Sequence, residues 1–129
     1  MKTKVLLMIT FFVLAVIGVN AQGGFQRRTV EERVQMVHQK LDSAFKLDKA
    51  KLADADSTFA TFYRSTDKVR DEMMAGGQFD RQAFMDKVQP YSDERDKKLQ
   101  GILTADQFKT WKEQIEPSLR PRRPGGANR

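Results

Sequence analysis

The stretch Asp48–Gly77, DKAKLADADSTFATFYRSTDKVRDEMMAGG, decides the fold class of this chain. Its apolar and small residues recur at alternating spacings of three and four, the heptad pattern of a helix that packs along its length against other helices. The members of this stripe are Leu52, Ala55, Phe59, Phe62, Thr66, Val69 and Met73. Asp48 is the expected N-cap, and Gly76-Gly77 is the expected end. The pattern therefore predicts a helix about 40 Å long.

The segments on either side of this stretch also show helical periodicity, without the sustained alternation that marks a strand. Thr29 and Glu32 form a capping box, which predicts the start of a first helix. Asp80 is the expected N-cap of a third helix. Pro90 lies inside that helix and lacks a backbone donor, so it predicts a kink or a split into two helices.

A short fourth helix is predicted near the end of the chain. Thr104 and Gln107 form a second capping box, and Pro117 is the expected end of the helix. Its predicted buried face consists of Phe108, Trp111 and Ile115. The predicted fold class is therefore all-α, with four helices, of which the second is long, the third kinked and the fourth short.

The N-terminal segment has the features of a secretory signal peptide. Lys2 and Lys4 precede an apolar run, Val5–Val19, and small residues follow up to Ala21. An uncleaved transmembrane anchor is the alternative, but the run is shorter than the roughly 20 residues needed to span a bilayer. We expect cleavage after Ala21 and a periplasmic location.

The remaining chain divides into three parts by composition. Residues 22–28 form a Gly-containing basic lead-in that we expect to be flexible. Residues 29–116 form the predicted helical domain. Residues 117–129 are rich in Arg and Pro, and we expect this tail to be disordered.

Charge and cysteine content exclude several classes of function. The 129 residues carry 23 Lys plus Arg against 17 Asp plus Glu, for a formal net charge of +6, and no Cys. The basic excess lies in the predicted signal peptide and the tail, so residues 22–116 are balanced and lack the basic face of a nucleic-acid-binding domain. Without Cys, disulfides, cysteine nucleophiles and Cys-ligated metal sites are excluded.

One pentapeptide motif carries a resemblance to a known family. Leu103-Thr104-Ala105-Asp106-Gln107 has the form LTxxQ, and Leu47-Asp48-Lys49-Ala50-Lys51 is a weaker copy in which Lys replaces Gln. Together with the length, export signal and helix order, the motif resembles the Spy/CpxP family of periplasmic stress proteins. The resemblance implies an ATP-independent chaperone or envelope-stress adaptor that binds unfolded or misfolded proteins. It also implies a thin, antiparallel, cradle-like homodimer, in which the motif residues Leu47, Asp48, Leu103, Thr104 and Gln107 join helices.

Two groups of residues outside the apolar stripes are candidates for binding such clients. Met36 lies on the same side of the first helix as Arg33 and Lys40, and flexible thioethers among cations adapt to varied partners. The second group surrounds the Gly76-Gly77 turn and consists of Met74, Phe79 and Met85. The alternative is that Met36 is an isolated surface methionine and that Phe79 packs as a hydrophobic staple on the third helix.

The residues do not suggest catalysis, a metal site or a cofactor. His38 is the only histidine, and we expect it to be partly buried with its hydrogen bonds satisfied. The serines have no base at a recognisable spacing, and no Gly-rich phosphate loop is present. We therefore expect the protein not to be an enzyme.

A structural role is the second hypothesis for this chain. The Arg-Pro tail would bind lipopolysaccharide or another envelope polyanion, and the helical domain would serve as a spacer. Binding of a polyanion weakens as ionic strength rises, whereas capture of apolar clients persists.

Overall fold

The computed structural model describes residues 27–120, and these residues form helices joined by short connections, with no strand among them. The helices are α1 (Val30–Phe45), α2 (Lys49–Ala75), α3 (Arg81–Ile102), α4 (Ala105–Thr110), one π-helical turn (Trp111–Ile115) and α5 (Glu116–Ser118). The all-α prediction is confirmed. The predicted signal peptide, residues 22–26 of the lead-in and residues 121–129 of the tail lie outside the described residues.

The predicted helix starts are confirmed by their capping hydrogen bonds. Thr29 accepts from the backbone N–H of Glu32, whose side chain accepts in return from the backbone N–H of Thr29. Asp48 caps α2, and Asp80 caps α3. Gly77 lies in the turn just after the end of α2, and its φ of +86° is a left-handed conformation that glycine adopts without steric cost.

Of the two outcomes predicted at Pro90, a kink or a split, the split does not occur, because α3 is a single helix across this position. Pro90 and Asp86 are both exposed, so water can solvate the carbonyl of Asp86, which has no N–H donor at Pro90. Val88 on one side of the proline and Leu99 on the other are buried, so packing holds both parts of α3 against the rest of the fold.

The predicted helix end at Pro117 is also wrong, because helical structure continues to Ser118. Residues Trp111–Ile115 form a π-helical turn, in which the backbone N–H of Glu116 donates to the carbonyl of Trp111. Pro117 follows at the start of α5, where a missing N–H is tolerated. Leu119 then packs against the core.

The helices pack around α2, with α1 and α3 on its two sides. The core lies where Trp111, from the π-helical turn, meets Phe59 of α2, with ring centroids 5.0 Å apart and ring planes inclined at 60°. The fully buried aliphatic residues of this core include Val37, Leu41 and Leu99. Three segments of the chain therefore cover the same part of α2.

The chain has two structurally different halves along α2. The bundle half consists of residues 30–67 and 91–119, and it contains the core. The hairpin arm consists of residues 68–90, which are the end of α2, the Gly76-Gly77 turn and the beginning of α3. Among the residues of the arm only Val69 and Val88 are buried. The arm is thus a helical hairpin that α4 and α5 do not cover.

Candidate functional site

The two leucine–cap junctions of the pentapeptide motif lie in the same part of the fold. Leu47 and Leu103 are buried in the same core. The residue after each leucine, Asp48 or Thr104, is the N-cap of the next helix, and both caps have φ −67° and ψ 164°. Each junction therefore inserts a leucine into the core and starts a helix with the following residue.

The two junctions differ in how completely the cap is built. Thr104 accepts from the backbone N–H of Gln107 at 3.2 Å, and the Gln107 side chain accepts from the backbone N–H of Thr104 at 3.0 Å. Asp48 accepts from the backbone N–H of Lys51 at 2.9 Å, but a lysine side chain has no acceptor to complete the box. These motif side chains are engaged in joining helices, so the candidate binding surface lies elsewhere.

An ionic cluster around the buried Arg95 attaches the C-terminal helical segments to α3. Arg95 is 6% exposed, and its guanidinium lies 4.5 Å from the centroid of the Phe62 ring. It donates to Asp96 at 2.7 Å and to Glu116 at 2.8 Å. Lys112 bonds the same two carboxylates, each at 2.9 Å. Every member of the cluster has an oppositely charged partner, as a stable buried network requires.

The electrostatics of this region favour the charged form of Lys112 and the neutral form of the nearby Tyr63. Burial alone would lower the pKa of Lys112, but hydrogen bonds to Glu116 and Asp96 outweigh burial and raise it above its usual value. Burial raises the pKa of Tyr63, against the opposing effect of the neighbouring Arg33. A raised lysine or tyrosine pKa lies far above neutral pH, so neither group is suited to proton transfer there. The cluster is structural.

The most exposed large apolar residues of the described chain lie mainly in the hairpin arm. Met74 is 60% exposed, Met85 is 51% exposed and Phe79 is 44% exposed. They surround the turn between α2 and α3, as the sequence predicts for the second group of client-binding candidates. A surface of this kind on a projecting hairpin is a candidate site for contact with another protein.

Phe79 has a structural contact in addition to its exposure. It precedes the N-cap Asp80, and its ring centroid lies 5.4 Å from that of Phe84 in the first turns of α3. This is the hydrophobic staple that the sequence offers as the alternative interpretation of Phe79. The staple orients the turn and leaves part of the Phe79 ring available to a partner.

The first group of candidates does not form a continuous surface with the second. Arg33 lies between α1 and α2, where it pairs with Asp67. Met36 is half-buried, with its sulfur 3.0 Å from Nη1 of Arg28, and Lys40 is exposed. These residues belong to α1 in the bundle half. The structure thus separates Met36 and Lys40 from the methionines of the arm and places Arg33 in a helix–helix contact.

The other polar groups named in the sequence analysis are His38 and possible metal ligands. His38 is partly buried and its Nδ1 lies 2.8 Å from Oδ2 of Asp56, which confirms the expected satisfied histidine. In residues 27–120, no three His, Cys, Asp or Glu side chains are grouped to hold a metal ion. No helix of the same residues is long and apolar enough to cross a membrane.

No family model, no curated protein and no solved structure matches this chain. The resemblance to the Spy/CpxP family therefore depends on the pentapeptide motif and the organisation of the chain alone. The function has to be argued from the surface of the hairpin arm and its surroundings.

Sequence reasoning overlooked the charged groups that the fold brings together. Arg95 occupies the column of inward-facing residues on α3, and an arginine in such a column is a signal of a buried ion pair. Its partner Glu116 comes from a distant segment, so the spacing of residues could not identify it. Arg70 interrupts the apolar stripe of α2 in the same way.

Proposed function

We propose that this chain binds unfolded or misfolded proteins without ATP, as a periplasmic chaperone or envelope-stress adaptor that does not turn over a substrate. The observation that carries the proposal is the exposed apolar surface of the hairpin arm, formed by Met74, Phe79 and Met85. The resemblance of the Leu103–Gln107 motif to the Spy/CpxP family supports the same function.

The chemistry of this surface suits partners of varied sequence. Methionine is unbranched and polarizable, so Met74 and Met85 can adapt to different apolar side chains. Charged residues alternate with them on the arm, including Arg81 and Lys87, and keep the surface soluble when no partner is bound. A surface that is both adaptable and soluble is what a binder of incompletely folded chains requires.

The proposal includes a homodimer with a thin, antiparallel, cradle-like shape. A small helical chain has a high ratio of surface to volume and leaves apolar side chains exposed outside the arm as well, such as Tyr91. Twofold dimers are the commonest symmetric assemblies of soluble proteins, and packing across a twofold axis would cover such side chains. Light scattering coupled to size exclusion at micromolar concentration is expected to give about twice the monomer mass. A folded monomer under these conditions would contradict the cradle.

Aggregation of reduced α-lactalbumin, followed by light scattering without nucleotide, tests the binding function. The double variant Met74→Glu/Met85→Glu is expected to need several times more protein for half-maximal suppression, because charges at both methionines oppose apolar clients. Substitutions at such exposed positions change the free energy of unfolding by only about 0.5 kcal/mol each. The matched control is Gln39→Glu/Gln100→Glu, which adds the same charge at exposed positions of the bundle half.

The results separate the two hypotheses for this chain. Equal suppression by the Met74→Glu/Met85→Glu variant and its control would show that the arm is not the client-binding surface. Removal of residues 121–129 is expected to leave suppression intact. If this truncation abolishes suppression while the arm variant has no effect, the activity belongs to the basic tail, and polyanion anchoring becomes the better hypothesis.

A further inference from the structure

Arginines that stack on aromatic rings have carboxylate partners in the bundle half. The guanidinium of Arg95 lies over Phe62 and donates a hydrogen bond to the carboxylate of Glu116, a residue of the C-terminal segments. A second stack also combines an arginine, an aromatic ring and a carboxylate, in this case Arg33, Tyr63 and Asp67. In each case the charge of the stacked guanidinium is balanced across a helix–helix contact.

The third stack, in the hairpin arm, lacks this partner. The guanidinium of Arg70 lies 5.1 Å from the centroid of the Phe84 ring. Arg70 is half-buried, yet none of the ion pairs among residues 27–120 includes it. The neighbouring acids Asp67 and Asp71 are instead paired with Arg33 and Arg27. Burial, followed by the nearby charge of Arg27, lowers the pKa of Arg70.

Arg70 lies on the face of α2 against which Trp111 packs, but farther along the helix. On α2, Arg70 lies about three helical turns beyond Phe59, on nearly the same face of the helix. Phe59 is the residue on which Trp111 packs. Met74 has the same relation to Tyr63, a half-buried residue at the edge of the core.

On α3, a residue of the arm also shares a helix face with a residue of the bundle half. Met85 lies about three turns before Asp96, on nearly the same face of the helix, and Asp96 is the residue that Lys112 bonds. The described C-terminal helices end at Ser118, before they reach this level. In the arm, the corresponding faces of α2 and α3 therefore carry the exposed Met74 and Met85 and the stacked Arg70, and we call these three residues the arm surface.

We propose that the arm surface binds an amphipathic helical segment of another protein, whose acidic side chain pairs with Arg70 while its apolar side chains contact Met74 and Met85. The segment would take the role in the arm that Glu116 and Trp111 have in the bundle half. A half-buried cation without a partner disfavours a basic segment and favours an acidic one. This inference rests on the proposed protein-binding function and specifies the class of segment that the arm selects.

Fluorescence anisotropy with three synthetic helical peptides tests the selection. The peptides share leucines at helical spacing and carry Glu, Gln or Lys at the same flanking positions. The Glu peptide is expected to bind the full mature chain about tenfold more tightly than the Gln peptide, because hydrogen bonds to charged groups are the stronger ones. The Lys peptide is expected to bind most weakly. This comparison changes only the probe, so the folding of a variant does not affect it.

Variants of Arg70 assign the preference to this residue. Arg70→Gln is expected to abolish the preference for Glu over Gln, and Arg70→Glu is expected to reverse it in favour of the Lys peptide. The control is Arg64→Gln, because Arg64 is also on α2, is 65% exposed and lies 4.0 Å from Glu31 of α1. The Arg64→Gln variant is expected to keep the preference of the unsubstituted chain.

The outcomes distinguish this inference from the function on which it rests. Equal affinity for the three peptides, or a preference that persists in Arg70→Gln, overturns the inference and leaves apolar capture by the arm intact. If none of the three peptides binds, the arm surface does not take an amphipathic helix and the inference is overturned. If the Met74→Glu/Met85→Glu variant also suppresses aggregation normally, the proposed function fails with it.

Discussion

The bundle half and the hairpin arm are built on the same two helices, but they bury very different side chains. In the bundle half, Leu41, Phe59 and Trp111 are at most 1% exposed. In the arm, Val69 and Val88 are the buried residues, and methionines and a phenylalanine lie at the surface. The same pair of helices thus forms a core in one half and an exposed apolar surface in the other.

This difference shows what a heptad pattern specifies. The stripe of α2 keeps its spacing from Phe62 into Met73, so the same side of the helix faces inward throughout. Val69 of the stripe stays buried in the arm, because α2 and α3 still pack against each other there. Met74 flanks the stripe, and the described C-terminal helices, which end at Ser118, do not extend far enough to cover it.

The strongest test of the comparison replaces one large side chain in each half. Trp111→Ala is expected to lower the free energy of unfolding by about 3 to 5 kcal/mol, because it leaves a cavity beside Phe59. Met85→Ala, at a 51% exposed position, is expected to lower it by about 0.5 kcal/mol. Urea unfolding followed by circular dichroism measures both. Comparable losses for the two variants would mean that the arm has a core of its own.

A second test concerns the charges that distinguish the halves. Glu116→Gln is expected to destabilise the fold by about 1.5 to 3 kcal/mol, because Arg95 loses one of its two charged partners. Glu113→Gln is the control, since Glu113 is exposed on the π-helical turn that precedes Glu116. Thermal unfolding of both variants at neutral pH gives the difference. Coincident transitions would show that the cluster contributes little to the attachment of the C-terminal segments.

The smallest expected effect is at the junction that leads into the covering segment. Thr104→Ala removes the acceptor for the backbone N–H of Gln107 and is expected to cost about 1 kcal/mol. The loss should appear as faster amide hydrogen exchange in α4, with exchange in the arm unchanged. Lys109→Arg, on an exposed face of α4, serves as the control. Faster exchange in both halves would show that the junction stabilises the whole chain, not the cover alone.

The helix starts could be predicted because capping is a local interaction. Thr29, Asp48, Asp80 and Thr104 each cap through a backbone N–H two or three residues away, so the pattern in the sequence contains both partners. The differences from the sequence-based expectation both concern proline. At Pro90 the loss of one hydrogen bond does not divide α3, because residues on either side are buried, and propensity alone does not include that packing.

The candidate site was predicted in part. The position of Met74 and Met85 beside a glycine turn follows from the sequence, because the turn and the spacing are both local. The role of Arg33 does not, because its partner Asp67 lies on a different helix. The lack of such a partner for Arg70 is equally invisible in the sequence.

The sequence by itself determined the helical class, the order and starts of the helices, and the side of each helix that faces its neighbours. These properties depend on hydrogen bonds and periodicities within a few residues of each position. Only the tertiary structure decided which part of α2 packs against the C-terminal segments, which arginines form ion pairs with a carboxylate and which methionines remain exposed. Those outcomes depend on where Trp111 and Glu116 lie relative to α2, and that distance is set by the packing of separate helices, not by the spacing within one of them.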